Sequence, residues 1–294
     1  MMTEKPFQIG SLAAIAGLAA TLPQADTVAA DAARARQNSL TKPPGSLGRL
    51  EDLACFMAEW RGTARPEITR AQAIVFAGNH GICAQGVNPF PQEVTAQMVL
   101  NFQAGGAAIN QLCRVNGADL SVIALDLDNP TADFTTGPAM TEAETLDALN
   151  QGAAAVDVTA DVLILGEMGI GNSTVAAALA MALFGGSASE WVGPGTGSDA
   201  EGIARKVRAI ETGVLRHQGL TAARFLAASG GREQAAICGA VLAARAARIP
   251  VILDGLICTA AALLRSVSSP ATPFTEKCST FMPAWGSLTG SSIS

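Results

Sequence analysis

The chain has 294 residues, of which 49% are hydrophobic and only 15% are charged, and its formal net charge is −6. This length and apolar content suffice for one sizeable core, or for a core with a small second domain. Nucleic-acid binding is disfavoured, because it requires clustered basic residues that displace counterions, and the 19 Lys and Arg residues are scattered along the chain.

Cysteine and histidine usage argues against a metal site. None of the six cysteines stands two residues from another, and the chain has two histidines. We therefore expect neither a zinc site of closely spaced thiolates nor a disulfide framework, but reduced thiols in the cytoplasm. No apolar run is long enough to cross a bilayer. The apolar segment 9–22 is interpreted as a packing helix and not an export signal, because Gly10, Ser11 and Gly17 interrupt it.

The first sixty residues carry helical patterns. Helices are predicted near residues 9–20, 25–39 and 46–60. Pro43 and Pro44 end the second helix, since proline removes a backbone donor and restricts the preceding residue, and Ser46 can cap the third. Residues 1–65 are predicted to form a small helical subdomain.

From residue 71 onward, short apolar runs alternate with helical patterns. Strands are predicted at 73–77, 120–125, 162–165 and 250–254, with a short one before Gly193. Helices are predicted near 92–115, 142–156 and 232–247, and from residue 173. This alternation predicts an α/β domain over residues 66–265, with a mostly parallel, Rossmann-like sheet covered by helices on both faces. Ligands of such folds bind beyond the carboxyl ends of the strands, so the loops after residues 77, 126, 165, 193 and 254 are the candidate site loops.

A glycine-rich segment, GEMGIGNST at 166–174, directly follows a predicted strand and opens a helix. Its glycines allow close backbone approach, and the helix N-terminus presents free N–H groups with a partial positive charge. The segment therefore predicts a phosphate cradle, although a tight turn with an ordinary cap is the alternative. The candidate phosphate ligands are Gly169, Gly171, Asn172, Ser173 and Thr174.

Two charged side chains accompany this segment. Glu167, at the end of the predicted strand, can bind ribose hydroxyls or hold a positive charge, or serve as a second cap. A second glycine-rich loop at 193–197 precedes a helix that carries Lys206. Lys206 is a candidate counter-charge for phosphate, and a solvated helix face is the alternative.

Other loops offer further candidates. His80, in GNHG after the first strand, is either an acid–base group or a hydrogen-bonded structural histidine. Phe90, Pro91 and Met98 can form a slot for a flat aromatic ligand, or belong to the core. The segment 230–233 starts a helix, and Asp254 ends a strand at a position suited to ligand contact.

Taken together, these segments resemble the nicotinate-nucleotide–dimethylbenzimidazole phosphoribosyltransferase family. The matching stretches are KPPGSLGRLE at 42–51, the segment 78–110, TGPAM at 136–140, GEMGIGNST at 166–174 and PVILDG at 250–255, in family order. The similarity runs from about residue 12 to residue 264.

The resemblance implies a two-part α/β fold, a homodimer, and transfer of phosphoribose from nicotinate mononucleotide to 5,6-dimethylbenzimidazole, with no metal or cofactor. It places the phosphate on residues 169–174, and Glu167 and Lys206 match polar positions of the family's site. Phe90, Pro91 and Met98 align with positions that line the base pocket; the family varies opposite Phe90 and Met98, so the base preference is open. Because Asn79 occupies a position where members of the family can have Asp, no acid–base role is assigned to His80.

The C-terminal part departs from the family pattern. Relatives continue with a motif like RLGEGSG, whose glutamate is the proposed general base, and nothing like it occurs here, where residues 266–294 form a divergent tail. Glu167 is then the candidate for the base, and a homologue that only binds nucleotide or benzimidazole is the alternative. A dehydrogenase is disfavoured, because no G-x-G-x-x-G follows the first strand. Without the family's C-terminal helices, the stripe of Leu12, Ile15 and Leu18 is expected to be partly exposed or repacked.

Overall fold

The computed structural model of the chain describes residues 7–263. Within them lies a four-stranded parallel sheet with the order β2-β1-β3-β4. The strands are β1 (Ala71–Ala77), β2 (Ala118–Ala124), β3 (Val162–Met168) and β4 (Val251–Leu253). The predicted α/β fold with a parallel sheet is confirmed.

The strand register brings the candidate site loops to one edge of the sheet. Ala77 at the end of β1 aligns with Ala124 of β2 and with Met168 of β3. The carboxyl ends of these three strands are therefore level, and the loops that follow them leave from the same edge. The last five residues of β1 are all buried, which explains why this strand reads as a continuous apolar run.

Helices surround the sheet within the described part of the chain. They are α1 (Ile15–Thr21), α2 (Thr27–Ser39), α3 (Arg49–Arg61), α4 (Val94–Gln103), α5 (Ala108–Asn116), α6 (Glu142–Ala154), α7 (Asn172–Phe184), α8 (Ala188–Trp191), α9 (Ala200–Arg216), α10 (Ala222–Ser229), α11 (Arg232–Ala246) and α12 (Gly255–Leu263), with a 3₁₀ turn at Gly81–Gln85. No helix among residues 7–263 is both long and apolar enough to cross a membrane.

Small residues allow α6 and α11 to pack unusually closely. A Cβ atom added at Gly152 of α6 would lie 1.8 Å from the carbonyl oxygen of Ala236 on α11. One added at Gly239 of α11 would lie 1.8 Å from the carbonyl oxygen of Leu149. The helix α11 is almost entirely buried, and this contact explains the small residues where α6 and α11 meet.

Three predicted elements differ in the structure. The helix expected over 92–115 is two helices, α4 and α5, because Gly105 adopts a left-handed conformation with φ 77° between them. The strand expected before Gly193 is instead the short helix α8, whose start is stabilised by the Ser187 backbone and hydroxyl bonding to Glu190. The third strand is longer than predicted and extends to Met168, so that Glu167 lies within it.

The N-terminal apolar stripe is not exposed. Leu12 and Ile15 are each 3% exposed and pack with residues of α6, α10 and α11. The chain is tied there by Asn150, whose side chain accepts from Ile9 N at 2.8 Å and donates to Ile9 O at 3.0 Å. Of the two expected outcomes, exposure and repacking, the structure therefore favours repacking, because α6, α10 and α11 offer an apolar surface that this segment covers.

The helical pair α2–α3 is fastened to the sheet by a buried carboxylate. Asp161, just before β3, accepts hydrogen bonds at 2.8–2.9 Å from the backbone N–H groups of Thr69 and Arg70 and from the Thr69 hydroxyl. It also pairs with Arg61 of α3 at 2.7 Å. These hydrogen bonds lower the pKa of Asp161 to about 2.

The tail predicted at 266–294, with its missing motif, lies outside the described residues.

Candidate functional site

The helix α7 begins directly after the glycine turn, with an open N-terminus. Its N-cap is Gly171, with φ 92°, and no side chain of the described residues caps the first turn. The ordinary cap considered from the sequence is therefore not formed. The N–H groups of Asn172 and Thr174 donate to the carbonyl oxygens of Gly169 and Gly171 at 3.3 and 3.1 Å, and the N–H of Ser173 and the positive end of the helix remain available to an anion. Ser173 is half-buried, and the buried Thr174 hydroxyl has no hydrogen-bond partner within residues 7–263.

The side chain of Lys206, on α9, lies close to the start of α7. The lysine is only 4% exposed, and its Nζ lies 3.4 Å from the carbonyl oxygen of Gly193. A Cβ atom placed on Gly195 would lie 3.1 Å from Lys206 Nζ and 3.5 Å from Ser173 Oγ, so both polar atoms face this second glycine loop. Burial lowers the pKa of Lys206, and no described carboxylate offsets that effect. The solvated helix face considered as an alternative is excluded.

Glu167 lies beside the glycine turn at the end of β3. Its carboxylate oxygen Oε2 accepts a hydrogen bond from the Asn172 amide. The side chain keeps some solvent access, yet desolvation raises its pKa to about 7, and the negative charge of Glu233 adds to this rise. The Asn172 hydrogen bond and His80 oppose the increase. A carboxyl group of this kind can both take and give a proton near neutral pH.

Asn172 was predicted as a phosphate ligand, but its side chain is engaged elsewhere. It is 6% exposed, and its amide nitrogen is engaged by Glu167. Its backbone remains at the first position of α7. Gly169 is buried in the turn, where a Cβ atom would lie 2.7 Å from the carbonyl oxygen of Gly78, so the turns after β1 and β3 touch.

The segment 88–98 forms one wall of the glycine turn. The Thr95 hydroxyl of α4 accepts from the backbone N–H of Ile170 at 3.1 Å, and Gln92 donates to the carbonyl oxygen of His80 at 2.9 Å. Phe90 and Pro91 are exposed at this wall, and Met98 is half-buried on α4. The three predicted base-pocket residues therefore sit on the segment that borders the turn, and Phe90 and Pro91 are not part of the core.

A cavity of about 240 Å³ opens between this wall and the second glycine loop. Arg205 of α9 spans it, donating to the carbonyl oxygen of Gly86 at 2.8 Å. The cavity is lined by residues of both walls, namely Gly86, Val87, Asn88, Pro89, Gly197, Ser198, Asp199, Gly202 and Arg205. An added Cβ at Gly171 would lie 3.6 Å from Asn88 Oδ1, so the cavity adjoins the start of α7.

One buried pair was missed by the sequence interpretation. Glu233, in the first turn of α11, lies with its Oε1 atom 3.1 Å from Nε2 of His80, and both side chains are fully buried. The helix start at 230–233 was recognised, but no signal in the sequence places Glu233 next to the loop after β1. Of the two interpretations of His80, the structure favours the structural one, since its ring does not reach solvent.

Comparison with known proteins decides the family. A family model described as a phosphoribosyltransferase matches residues 22–274. The chain belongs to this family. It is 71% identical over 254 residues to the nicotinate-nucleotide–dimethylbenzimidazole phosphoribosyltransferase of Rhodobacter capsulatus, covering 86% of this chain and 76% of that protein. The enzyme of the same name from Novosphingobium aromaticivorans is 55% identical over 273 residues, covering 92% and 80% of the two chains.

Solved structures agree with this assignment. The crystal structure of CobT from Thermus thermophilus superimposes with a TM-score of 0.77 at 39% sequence identity. The match covers 83% of this chain and 79% of that one. This phosphoribosyltransferase therefore shares both the sequence pattern and the three-dimensional fold of its relatives.

Proposed function

We propose that this phosphoribosyltransferase transfers phosphoribose from nicotinate mononucleotide to 5,6-dimethylbenzimidazole, releasing nicotinate and forming α-ribazole 5′-phosphate in cobalamin biosynthesis. The observation that carries this proposal is the buried Lys206 at the uncapped start of α7. A buried ammonium group without a carboxylate partner among the described residues, next to the positive end of a helix, is a site suited to an anion. The phosphate of the nucleotide supplies that anion.

The glycine turn and Lys206 anchor the phosphate in this proposal. Backbone N–H groups at Gly169 and Gly171, with the hydroxyls of Ser173 and Thr174, surround the phosphate oxygens, while Lys206 balances their charge. Asn172 has a different part, since its amide holds Glu167. A fixed phosphate places the ribose C1′ over the end of β3, where Glu167 lies. Such positioning contributes several kcal/mol, roughly 7–11 in the best cases, to lowering a barrier.

The transfer itself needs one base. A ring nitrogen of dimethylbenzimidazole attacks C1′ as the C1′–N bond to nicotinate breaks, with both electrons of that bond leaving on nicotinate. The proton on the other ring nitrogen of the benzimidazole passes to the Glu167 carboxylate. With a pKa raised to about 7, Glu167 is ionised often enough at neutral pH to accept this proton. Phe90, Pro91 and Met98 supply an apolar wall for the flat base.

We further propose that the protein is a cytoplasmic homodimer. The helices α4 and α5, which contact the edge strand β2, leave large apolar side chains exposed, with Leu100 64%, Leu112 58% and Val115 79% exposed. Large apolar side chains exposed on two consecutive helices favour a partner of the same chain. The five cysteines of the described residues are free, which favours a reducing compartment. Light scattering of the purified chain, compared with a Val115→Glu variant, tests the dimer: the variant should be monomeric.

The function is tested by turnover and by binding together. The purified chain is incubated with nicotinate mononucleotide and dimethylbenzimidazole, and α-ribazole 5′-phosphate is followed by chromatography. Calorimetry measures the binding of nicotinate mononucleotide in parallel. Product formation supports the proposal. Binding without product favours the homologue that only binds its ligands, and the absence of both refutes the phosphate site.

A further inference from the structure

His80 and Glu233 form a buried pair whose polar atoms are poorly satisfied. Nε2 of His80 and Oε1 of Glu233 are 3.1 Å apart, which is an ion-pair distance without the alignment of a hydrogen bond. Neither Glu233 oxygen, nor Nδ1 of His80, has a hydrogen-bond partner in the part of the chain that the structure describes. Since burying such groups is costly and a buried ion pair gives little net stability, packing alone does not account for this pair.

The pair lies where three backbone turns meet. A Cβ atom at Gly78, after β1, would lie 2.5 Å from Glu233 Oε2, and one at Gly231, before α11, would lie 2.3 Å from the His80 ring. A Cβ atom at Gly169, after β3, would lie 2.9 Å from His80 Nε2. At distances this short, a side chain at any of these glycines would displace His80 or Glu233, so the pair is in direct contact with all three turns.

The pair also acts on Glu167. The carboxylate of Glu233 raises the pKa of Glu167, second only to desolvation, and His80 lowers it. The other groups that face Glu167 are the Asn172 amide and Asp254, at the end of β4, together with Cys258 of α12. Asp254 acts in the same direction as Glu233 but more weakly. Among the charged groups, Glu233 therefore has the largest effect on the pKa of Glu167, the carboxyl group that borders the glycine turn.

We propose that His80 and Glu233 are positioning residues for the transfer: His80 orients Glu233, and Glu233 fixes the three glycine turns and places a carboxylate behind Glu167. The part of this inference that concerns catalysis rests on the proposed function, since it acts through Glu167. A proton lies between the two facing atoms, because an unprotonated ring nitrogen and a carboxylate would repel each other at 3.1 Å. That proton belongs on Nε2 of His80.

The proton can be observed directly, because the chain has two histidines. Nitrogen-15 NMR of the imidazole rings, with His217→Gln to assign the signals, reports each ring separately. His217 is a matched control, since it is also buried but contacts the carbonyl oxygen of Phe134 at 2.9 Å and not an acid. We expect Nε2 of His80 to carry a proton at pH 7 in the unaltered chain. A ring protonated on Nδ1 alone would overturn the proposal, even if Glu233 variants do not fold.

The Glu233→Gln variant tests the pair through its partners. The amide keeps the shape of the side chain but removes its charge, so the His80 ring signals should change while those of His217 stay as they are. In protein labelled with carbon-13 at glutamate carboxyl groups, the Glu167 signal is identified by its loss in Glu167→Gln. Its titration midpoint should move to lower pH in Glu233→Gln, since the carboxylate that raises it is gone. Unchanged His80 signals or an unchanged Glu167 midpoint would contradict the proposal.

Kinetics separate this inference from the proposed function. In Glu233→Gln, the ascending limb of kcat/KM against pH should move to lower pH together with the Glu167 midpoint, while KM for nicotinate mononucleotide stays within about twofold. A loss of activity at all pH values with an unmoved limb would mean a purely structural role and would refute the proposal. If the unaltered chain shows no turnover, the proposed function fails, and the two NMR measurements still decide whether the pair sets the charge state of Glu167.

Discussion

The amide nitrogen of Asn172 donates a hydrogen bond to the carboxylate of Glu167, and so joins the first residue of α7 to the end of β3. The four residues between them therefore fold back as a closed turn. This arrangement divides the work of the segment 166–174. In the function that we propose, its backbone binds the phosphate, while the Asn172 side chain holds the carboxyl group that accepts the proton.

Replacement of Glu167 by Gln should remove the base while keeping the volume. We expect kcat to fall by roughly 10²- to 10⁴-fold, the usual contribution of a positioned general base. KM for nicotinate mononucleotide should change little, because the phosphate is held by other residues. Steady-state kinetics of product formation measure both. The exposed Glu211→Gln on α9 is the control and should behave like the unaltered enzyme.

Activity should depend on the ionisation of Glu167. Because the pKa of this carboxyl group is raised to about 7, it is protonated below that pH and cannot accept a proton. The kcat/KM should therefore rise with pH through about 7. In Asn172→Ala, the loss of a hydrogen bond that lowers the pKa should move this limb to higher pH. A flat profile between pH 6 and 8 in the unaltered enzyme would argue against Glu167 as the base.

Loss of the Lys206 charge should weaken phosphate binding. A charge-assisted hydrogen bond contributes about 1.5–3 kcal/mol, so Lys206→Gln should raise the Kd for nicotinate mononucleotide by roughly 10- to 100-fold. Binding of dimethylbenzimidazole, which has no phosphate, should be unaffected. The exposed Arg208→Gln on the same helix removes the same charge and serves as the control. Equal weakening in both variants would mean that overall charge, and not a built site, attracts the nucleotide.

The strands could be predicted from sequence where burial on both faces leaves a continuous apolar run, as in β1. The role of Glu233 could not. A glutamate in the first turn of a helix is usually exposed and interacts with the helix dipole, and its sequence environment says nothing about the loop after β1. Its burial depends on Gly78 and Gly231 coming together in space, which requires the strand order. The break between α4 and α5 was missed for a local reason: an isolated glycine pair does not always end a helical pattern.

The close contact of α6 and α11 should be sensitive to a single methyl group. In Gly239→Ala, the added atom would overlap the carbonyl oxygen of Leu149, and backbone must move to admit it. We expect the free energy of unfolding to fall by about 1–3 kcal/mol, as for other overpacked cores. Gly17→Ala in α1, where nothing lies within 4 Å, should instead raise it by about 0.4–1 kcal/mol. Urea titrations of the two variants measure the difference, and equal effects would refute the close packing.

Asp161 should make stability depend on acidity. The pKa of this carboxyl group is lowered to about 2 by its hydrogen bonds to Thr69 and Arg70, below its value in the unfolded chain. The contribution of Asp161 to the free energy of unfolding is therefore fully present above about pH 4 and is lost as the pH falls towards 2.

The Asp161→Asn variant tests this dependence. Its side chain carries no charge, and one of the two accepting carboxylate oxygens is replaced by an NH₂ group, which can only donate. We expect a loss of about 2–4 kcal/mol at pH 7, because hydrogen bonds to a charged group contribute about 1.5–3 kcal/mol each. Urea titrations of both proteins from pH 7 down to pH 2.5 should show this difference shrinking with acidity. A difference that stays constant over that range would mean that Asp161 acts through packing and not through its charge.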